Sequence, residues 1–381
     1  MWRGRFSQIW VTQTQWLALT LITSVASAAQ AYPTEAETLL PTWDRSLTLK
    51  TAGGYKDNVG LSHSFPESSA LFRSTLEAVA TQLPVDADLF SFVFTGDDTR
   101  YPQSKNVDHE DFLVARGEYR HFWANDWQAA LALEGLYLDQ VLDLSVTQQR
   151  TNAFPVRGGG ISARPSARRD LSADIWLTFE AGASRNLLNP PLDDFWDVGP
   201  KIILGRTYGN GSEVAASYEF VHRGYDSELA RDASGVIDTN QPSIRQAFLR
   251  EVAGVWKHYW DADGHWRSTT KVGYQHSADH FSGYFDYERY QVGHQVRFRW
   301  QPWEISVEGR LSHYDFPVQT VGGEGTPKRR RSEYLVNVRA ERSLGRHLRL
   351  IAEYDYEHTD SNLAVDQYAV NTVSAGVGWE F

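Results

Sequence analysis

The chain has 381 residues, no Cys, one Met and a formal net charge of -11. Without cysteine there is no disulfide, no thiolate metal site and no lipidated N-terminal Cys. The acidic balance excludes a nucleic-acid binder that works by bulk electrostatics.

The first 31 residues read as a secretory signal. Arg3 and Arg5 supply the charged start, and "WLALTLITSVASA" (Trp16 to Ala28) supplies a short apolar core. Ala29-Gln30-Ala31 fits a small-x-small cleavage site, with Ala26-Ser27-Ala28 as the alternative. The core is shorter than a bilayer-spanning helix requires. Residues 1–31 are therefore expected to be removed, 32–43 to form a short periplasmic segment, and 44–381 to form the folded body.

From Asp44 onward the hydrophobic period is two. "SLTLKTAGGY" sets Leu47, Leu49, Thr51, Gly53 and Tyr55 against Ser46, Thr48, Lys50 and Ala52. "WEISVEGRL" and "HLRLIAEYDYEH" alternate in the same way. Such alternation predicts strands with one apolar and one polar face. Sixteen segments fit it: 46–56, 70–82, 88–96, 111–122, 127–139, 155–165, 173–184, 197–208, 213–225, 243–259, 265–276, 286–300, 303–315, 332–342, 347–358 and 368–381.

Their connections alternate short and long. Short ones are 83–87, 123–126, 166–172, 209–212, 260–264, 301–302 and 343–346. Long ones are 57–69, 97–110, 140–154, 185–196, 226–242, 277–285, 316–331 and 359–367. This places all tight turns at one end of an up-and-down sheet and all long loops at the other. The short turns are flanked by aromatics, as in "FWANDW", "YWDADGHW" and "WQPW". Aromatics at the ends of lipid-facing strands make an interfacial girdle, whereas a soluble sandwich would hold its Trp in mid-strand.

The polar face collects charges of both signs, Lys50, Glu77, Glu118, Lys201, Glu219 and Lys271 among them. The opposite face holds Leu, Val, Ala, Gly and aromatics. A wall with charges on one side and grease on the other belongs in lipid with its charges inward, and backbone groups in hydrocarbon force the sheet to close. The expected fold is all-β, a transmembrane up-and-down antiparallel β-barrel of about 16 strands. At that size side chains cannot fill the interior, so a water-filled lumen is expected unless something plugs it.

The chain stops on "SAGVGWEF". Ser374, Gly376, Trp379 and Phe381 resemble the C-terminal assembly signal of outer-membrane β-barrel proteins. The layout of 44–381 resembles porin-like outer-membrane barrels, and "GGYKDNVGLS" (Gly53 to Ser62) is similar to the opening strand of barrels tied to exopolysaccharide export. These resemblances imply an outer-membrane location. They imply recognition by the barrel-assembly machinery and a life among bilayer lipid and lipopolysaccharide. They leave a periplasmic partner and a homo-oligomer open, and they imply no cofactor.

The expected function is a channel for diffusion of small polar solutes, not an enzyme. Its pore-lining residues are read as Arg116, Arg120, Arg297, Arg299, Arg310 and Arg339 with Glu308 and Glu353. Rows of opposite charge set a transverse field that selects among polar solutes. The long loops 140–154, 226–242 and 316–331 are candidates to fold inward. The alternatives are an export or assembly barrel and an outer-membrane lipid hydrolase. "KRRR" (Lys328 to Arg331), at a loop end, could clamp lipopolysaccharide phosphates, since guanidinium forks match phosphate geometry. In "HSADH", His276 and His280 are four apart, a metal-binding spacing on a helix but not in a loop. Ser277 beside His276 suggests a hydrolase pair, yet such pairs normally meet from separate strands. No metal or catalytic residue is assigned.

Overall fold

A computed structural model describes residues 43–82, 87–146, 153–237, 242–322 and 326–381. The expected signal segment and nearly all of the expected periplasmic segment lie outside the described residues. The strands are β1 (Trp43–Lys56), β2 (Ser69–Gln82), β3 (Asp88–Arg100), β4 (His109–Trp123), β5 (Trp127–Leu142), β6 (Phe154–Asp170), β7 (Ile175–Leu188) and β8 (Phe195–Tyr208). They continue as β9 (Ser212–Leu229), β10 (Ile244–Tyr259), β11 (Trp266–Asp279), β12 (Tyr287–Trp300), β13 (Trp303–Thr320), β14 (Lys328–Ser343), β15 (Leu348–Ser361) and β16 (Tyr368–Glu380).

Each strand pairs antiparallel with its chain neighbours, and β16 returns to pair with β1, so the sheet is a closed sixteen-strand barrel. The porin-like up-and-down architecture expected from the alternation is the one observed. Closure leaves no edge strand with unpaired N–H and C=O groups. The β1–β16 seam runs from Thr48↔Glu380 to Lys56↔Thr372. Gly376 lies in that seam, where an added Cβ would overlap the Thr51 carbonyl of β1.

The pleat sorts side chains as the period of two requires. Leu47, Leu49 and Tyr55 of β1 point out and are exposed, while Thr48, Lys50 and Lys56 point in and are buried. Ile161, Phe179, Val198 and Leu204 carry the greasy outer surface around the wall. At the tight-turn end Trp123 pairs with Trp127 across β4 and β5, and Trp300 with Trp303 across β12 and β13. All four are exposed, as an interfacial belt requires. Outward Tyr218, Tyr274, Tyr290, Tyr334 and Tyr354 add exposed aromatics to the same outer face. The outer face is not wholly apolar: Arg250 is exposed on it, between Phe220 and His276 in register.

The strands run further toward the loops than the alternation predicted. β13 continues to Thr320 and β14 begins at Lys328, so most of the expected 316–331 loop is strand. Likewise β3 reaches Arg100 and β9 reaches Leu229. The "HSADH" run is mainly strand as well, because β11 extends to Asp279. The signal fades there because inward residues near the loops stop being polar.

Candidate functional site

The lumen is the one concave surface that this fold must create, and its two ends differ. In the tight-turn half the inward wall is charged. Lys50 on β1 donates to Glu77 on β2 at 2.7 Å, both buried. Arg73 of β2 pairs with Glu353 of β15 at 3.3 Å, and Lys201 of β8 with Glu219 of β9 at 3.2 Å. These pairs lie along the wall and keep a polar surface toward the interior. A solvent-open cavity with roughly 1240 Å³ of empty space lies against β4 to β10 in this half.

The loop half of the lumen is filled instead. Three apolar clusters that join wall to loop residues line it. Leu71, Val141, Tyr368 and Val370 of the wall meet Val59 and Leu61 of the β1–β2 loop and Tyr101 and Val107 of the β3–β4 loop. Leu138, Leu142, Val156, Leu188, Phe195 and Tyr225, from β5 to β9, meet Leu144 and Leu192. Tyr287 of β12 with Tyr314 and Phe316 of β13 meet Val146.

One short segment joins all three. In "VLDLSV" (Val141 to Val146), Val141 enters the first cluster, Leu142 and Leu144 the second, and Val146 the third. β13 is eight strands from β5 in a closed ring of sixteen, so the segment is a strap between opposite walls. Four extended residues reach only about 14 Å. Long side chains from the far wall complete the crossing. Val146 is 1% exposed, so the far end of the strap is sealed.

Polar groups latch the strap in place. Arg331 on β14, fully buried, donates to the Asp143 carboxylate at 2.6 Å and to the Ser145 hydroxyl. Its Nε bonds Glu333 at 2.7 Å. Arg329, two residues earlier on the same face, donates to the Ser145 carbonyl oxygen at 2.8 Å and to Asp366. Its guanidinium lies 4.5 Å from the Phe316 ring centroid. Burial pushes the Asp143 carboxyl up, but Arg331 and the Ser145 N–H outweigh it and hold Asp143 below its ordinary value. At Asp366 burial wins over the attraction of Arg329 and Arg331, and that carboxyl sits above its ordinary value.

The sequence-assigned pore residues all face inward, yet they do not form one cluster. Arg116 and Arg120 share Glu118 on β4, the first at 2.8 Å. Arg297 and Arg299 of β12 both hold Glu304, at 2.5 Å and 3.0 Å. Arg339 of β14 holds Glu341, and Glu353 is taken by Arg73. Glu308 is buried on β13, with Arg310 on the same face. Of the assembly residues, Ser374 and Gly376 face the lumen, and Trp379 and Phe381 are exposed on the outside. Of the three loops expected to fold inward, 140–154 does so through its described residues 143–146.

The "KRRR" run splits by parity. Lys328 and Arg330 are exposed, whereas Arg329 and Arg331 are buried in the latch. Phosphate clamping by the whole run is thereby replaced by two outward cations and two structural ones. His276 and Ser277 are successive strand residues, so they point to opposite faces of β11 and cannot act as a pair. Sequence reading named 140–154 as a loop that folds inward, but it missed the crossing to β13 and the latch that Arg329 and Arg331 make. The spacing of Arg329 and Arg331, two apart in what became a strand, was the signal that both point inward.

No family model matches the sequence, and no curated protein matches it either. Solved structures do align along its length. OccAB1 of Acinetobacter baumannii is 9% identical with a TM-score of 0.46, covering 92% of this chain and 100% of that one. OprB of Pseudomonas putida, in a high-pH structure, is 11% identical with a TM-score of 0.47, covering 89% and 94%. A protein described as a bacterial polysaccharide outer membrane secretin is 9% identical with a TM-score of 0.41, covering 88% and 97%.

Proposed function

We propose that the protein is an outer-membrane channel for small polar solutes, narrowed by the Val141–Val146 strap. The observation that carries this reading is the barrel's inversion. Exposed Leu, Val and aromatic side chains surround a wall whose inward residues are ion-paired and wet in the tight-turn half. An exterior of that kind is stable only against hydrocarbon, and an interior of that kind only against water. The strap sets the size limit at the loop end, and the charged half sets the preference among solutes that pass. In this reading the loops face outward from the cell, where Lys328 and Arg330 meet lipopolysaccharide. The C-terminal strand is what the assembly machinery engages.

Purified protein in planar lipid bilayers tests it. The expected result is stepwise, small-conductance openings in symmetrical salt. A preparation that inserts as a folded barrel and never conducts at any voltage contradicts the channel reading.

A further inference from the structure

Two charged side chains in the solvent-open cavity of the tight-turn half have no use in the wall. Arg164 on β6 and Glu180 on β7 both face that cavity, and neither has a hydrogen-bond or ion-pair partner among the described residues. Most other charges nearby have found one; Glu213, which also lines the cavity, is attracted by Lys257 and Arg168, and Glu134, inward on β5, stands opposite Arg116 in register. Glu118, in the same row as Arg164, is held by Arg116 and Arg120. Arg164's own register partner on β5 is Ala132, which carries no charge. Glu180 stands opposite Lys201 in register, but Lys201 turns to Glu219. Arg168 is taken by Asp170 at 3.0 Å and covers the Trp176 ring at 4.6 Å.

The free pair is set apart by the sheet itself. Ser166 of β6 is in register with Glu180 of β7, so Arg164 lies two residues out of register with Glu180 on the same face. Such diagonal neighbours have Cα atoms roughly 7–8 Å apart. The surrounding wall is small: Ala130 and Ala132 on β5, and Ser166 between the two charges. A cation and a carboxylate held a short distance apart, over a floor of Ala and Ser, complement a ligand with the opposite two charges.

We infer that this pocket is a binding subsite for a zwitterion, an α-amino acid, with its carboxylate on Arg164 and its ammonium on Glu180. The assignment rests on the channel reading for its physiological meaning, because a subsite in the lumen wall selects what the channel passes. Binding itself does not depend on conduction. A guanidinium offers a fork of N–H donors that suits a carboxylate, and a carboxylate accepts from an ammonium. A site built from half-buried charges disfavours a ligand that lacks either partner, since one group is then left unsatisfied.

Saturation-transfer NMR on the full detergent-solubilised barrel tests this with L-glutamine, its N-acetyl derivative and its amide derivative. L-glutamine is expected to bind, and each derivative to bind at least about tenfold more weakly. Arg164→Gln is expected to abolish the preference for glutamine over glutaminamide. Glu180→Gln is expected to abolish the preference over N-acetylglutamine. Both variants leave the wall ion pairs intact, and heat-modifiable mobility on gels checks that they fold. No glutamine signal, or equal signals from all three ligands, overturns the subsite. Bilayer recordings on the same preparation separate the two ideas: conduction without glutamine binding sinks the subsite alone, and binding without conduction sinks the channel alone.

Discussion

The two halves of the lumen are built on the same sixteen strands and solve opposite problems. In the tight-turn half, inward positions are charged and pair along the wall, as Lys50 does with Glu77 and Lys201 with Glu219. Their partners are neighbours in the sheet, so the interior stays open. In the loop half, inward positions such as Leu138, Val156, Tyr287 and Tyr314 are apolar and need something to bury against. What they bury against is loop chain: Leu144 and Leu192 in one cluster and Val146 in the other. The difference teaches that a wide barrel is plugged by making one end of its inner wall greasy, and that a buried ion pair then fixes where the plug sits.

The sharpest way to break the contrast is Arg331→Ala. Truncation leaves Asp143 buried without its cation, a loss of about 3–5 kcal/mol for a pair of this kind. The strap is expected to detach while the barrel persists. Hydrogen exchange would show it as lost protection confined to residues near Asp143 and Ser145, with the β1–β16 seam unchanged.

A smaller effect separates the two carboxylates of the latch by pH. Asp366 sits above its ordinary value of 3.8 and Asp143 below its own 3.8. On acidification Asp366 therefore takes its proton first. Its charged form is disfavoured by burial, so its contribution is greatest at low pH and is lost as pH rises through its folded value. Asp143 contributes fully above 3.8 and loses that contribution as pH falls through its folded value. Conductance is expected to stay flat from neutrality to about pH 4 and to rise below it. A rise already complete at pH 6 would point to a latch other than Asp143.

The smallest effect belongs to the open half. Arg299 is 62% exposed and shares Glu304 with Arg297. Arg299→Gln is expected to change stability by less than about 1 kcal/mol, read by denaturant unfolding. It should shift ion selectivity slightly, read as reversal potential, and leave conductance size unchanged.

Much of the architecture was legible in the sequence because lipid imposes a strict rule on each strand. The period of two from Leu47 to Tyr55, repeated sixteen times with alternating connection lengths, follows directly from that rule. The loop half was less legible because its rule is weaker. Leu138, Leu142 and Val156 are apolar on the inward face, so alternation fades where the strand in fact continues. "VLDLSV" reads as more strand followed by loop, and nothing local says that it crosses to β13. Arg329 and Arg331 read as solvated loop cations, since the partners that bury them, Asp143 and Asp366, lie far away in the chain. The charges expected to line the pore do face inward, but most of them are held by one another or by wall partners. Arg164 and Glu180 stand out only once the partners of their neighbours are known.

The central claim is that the strap, and not the charged half, limits conduction. Single-channel conductance of the wild type against a variant with Asp143 to Val146 replaced by four glycines tests it most directly. The account predicts a several-fold larger unitary conductance in the variant, with ion selectivity little changed. Equal conductances for the two proteins would contradict it.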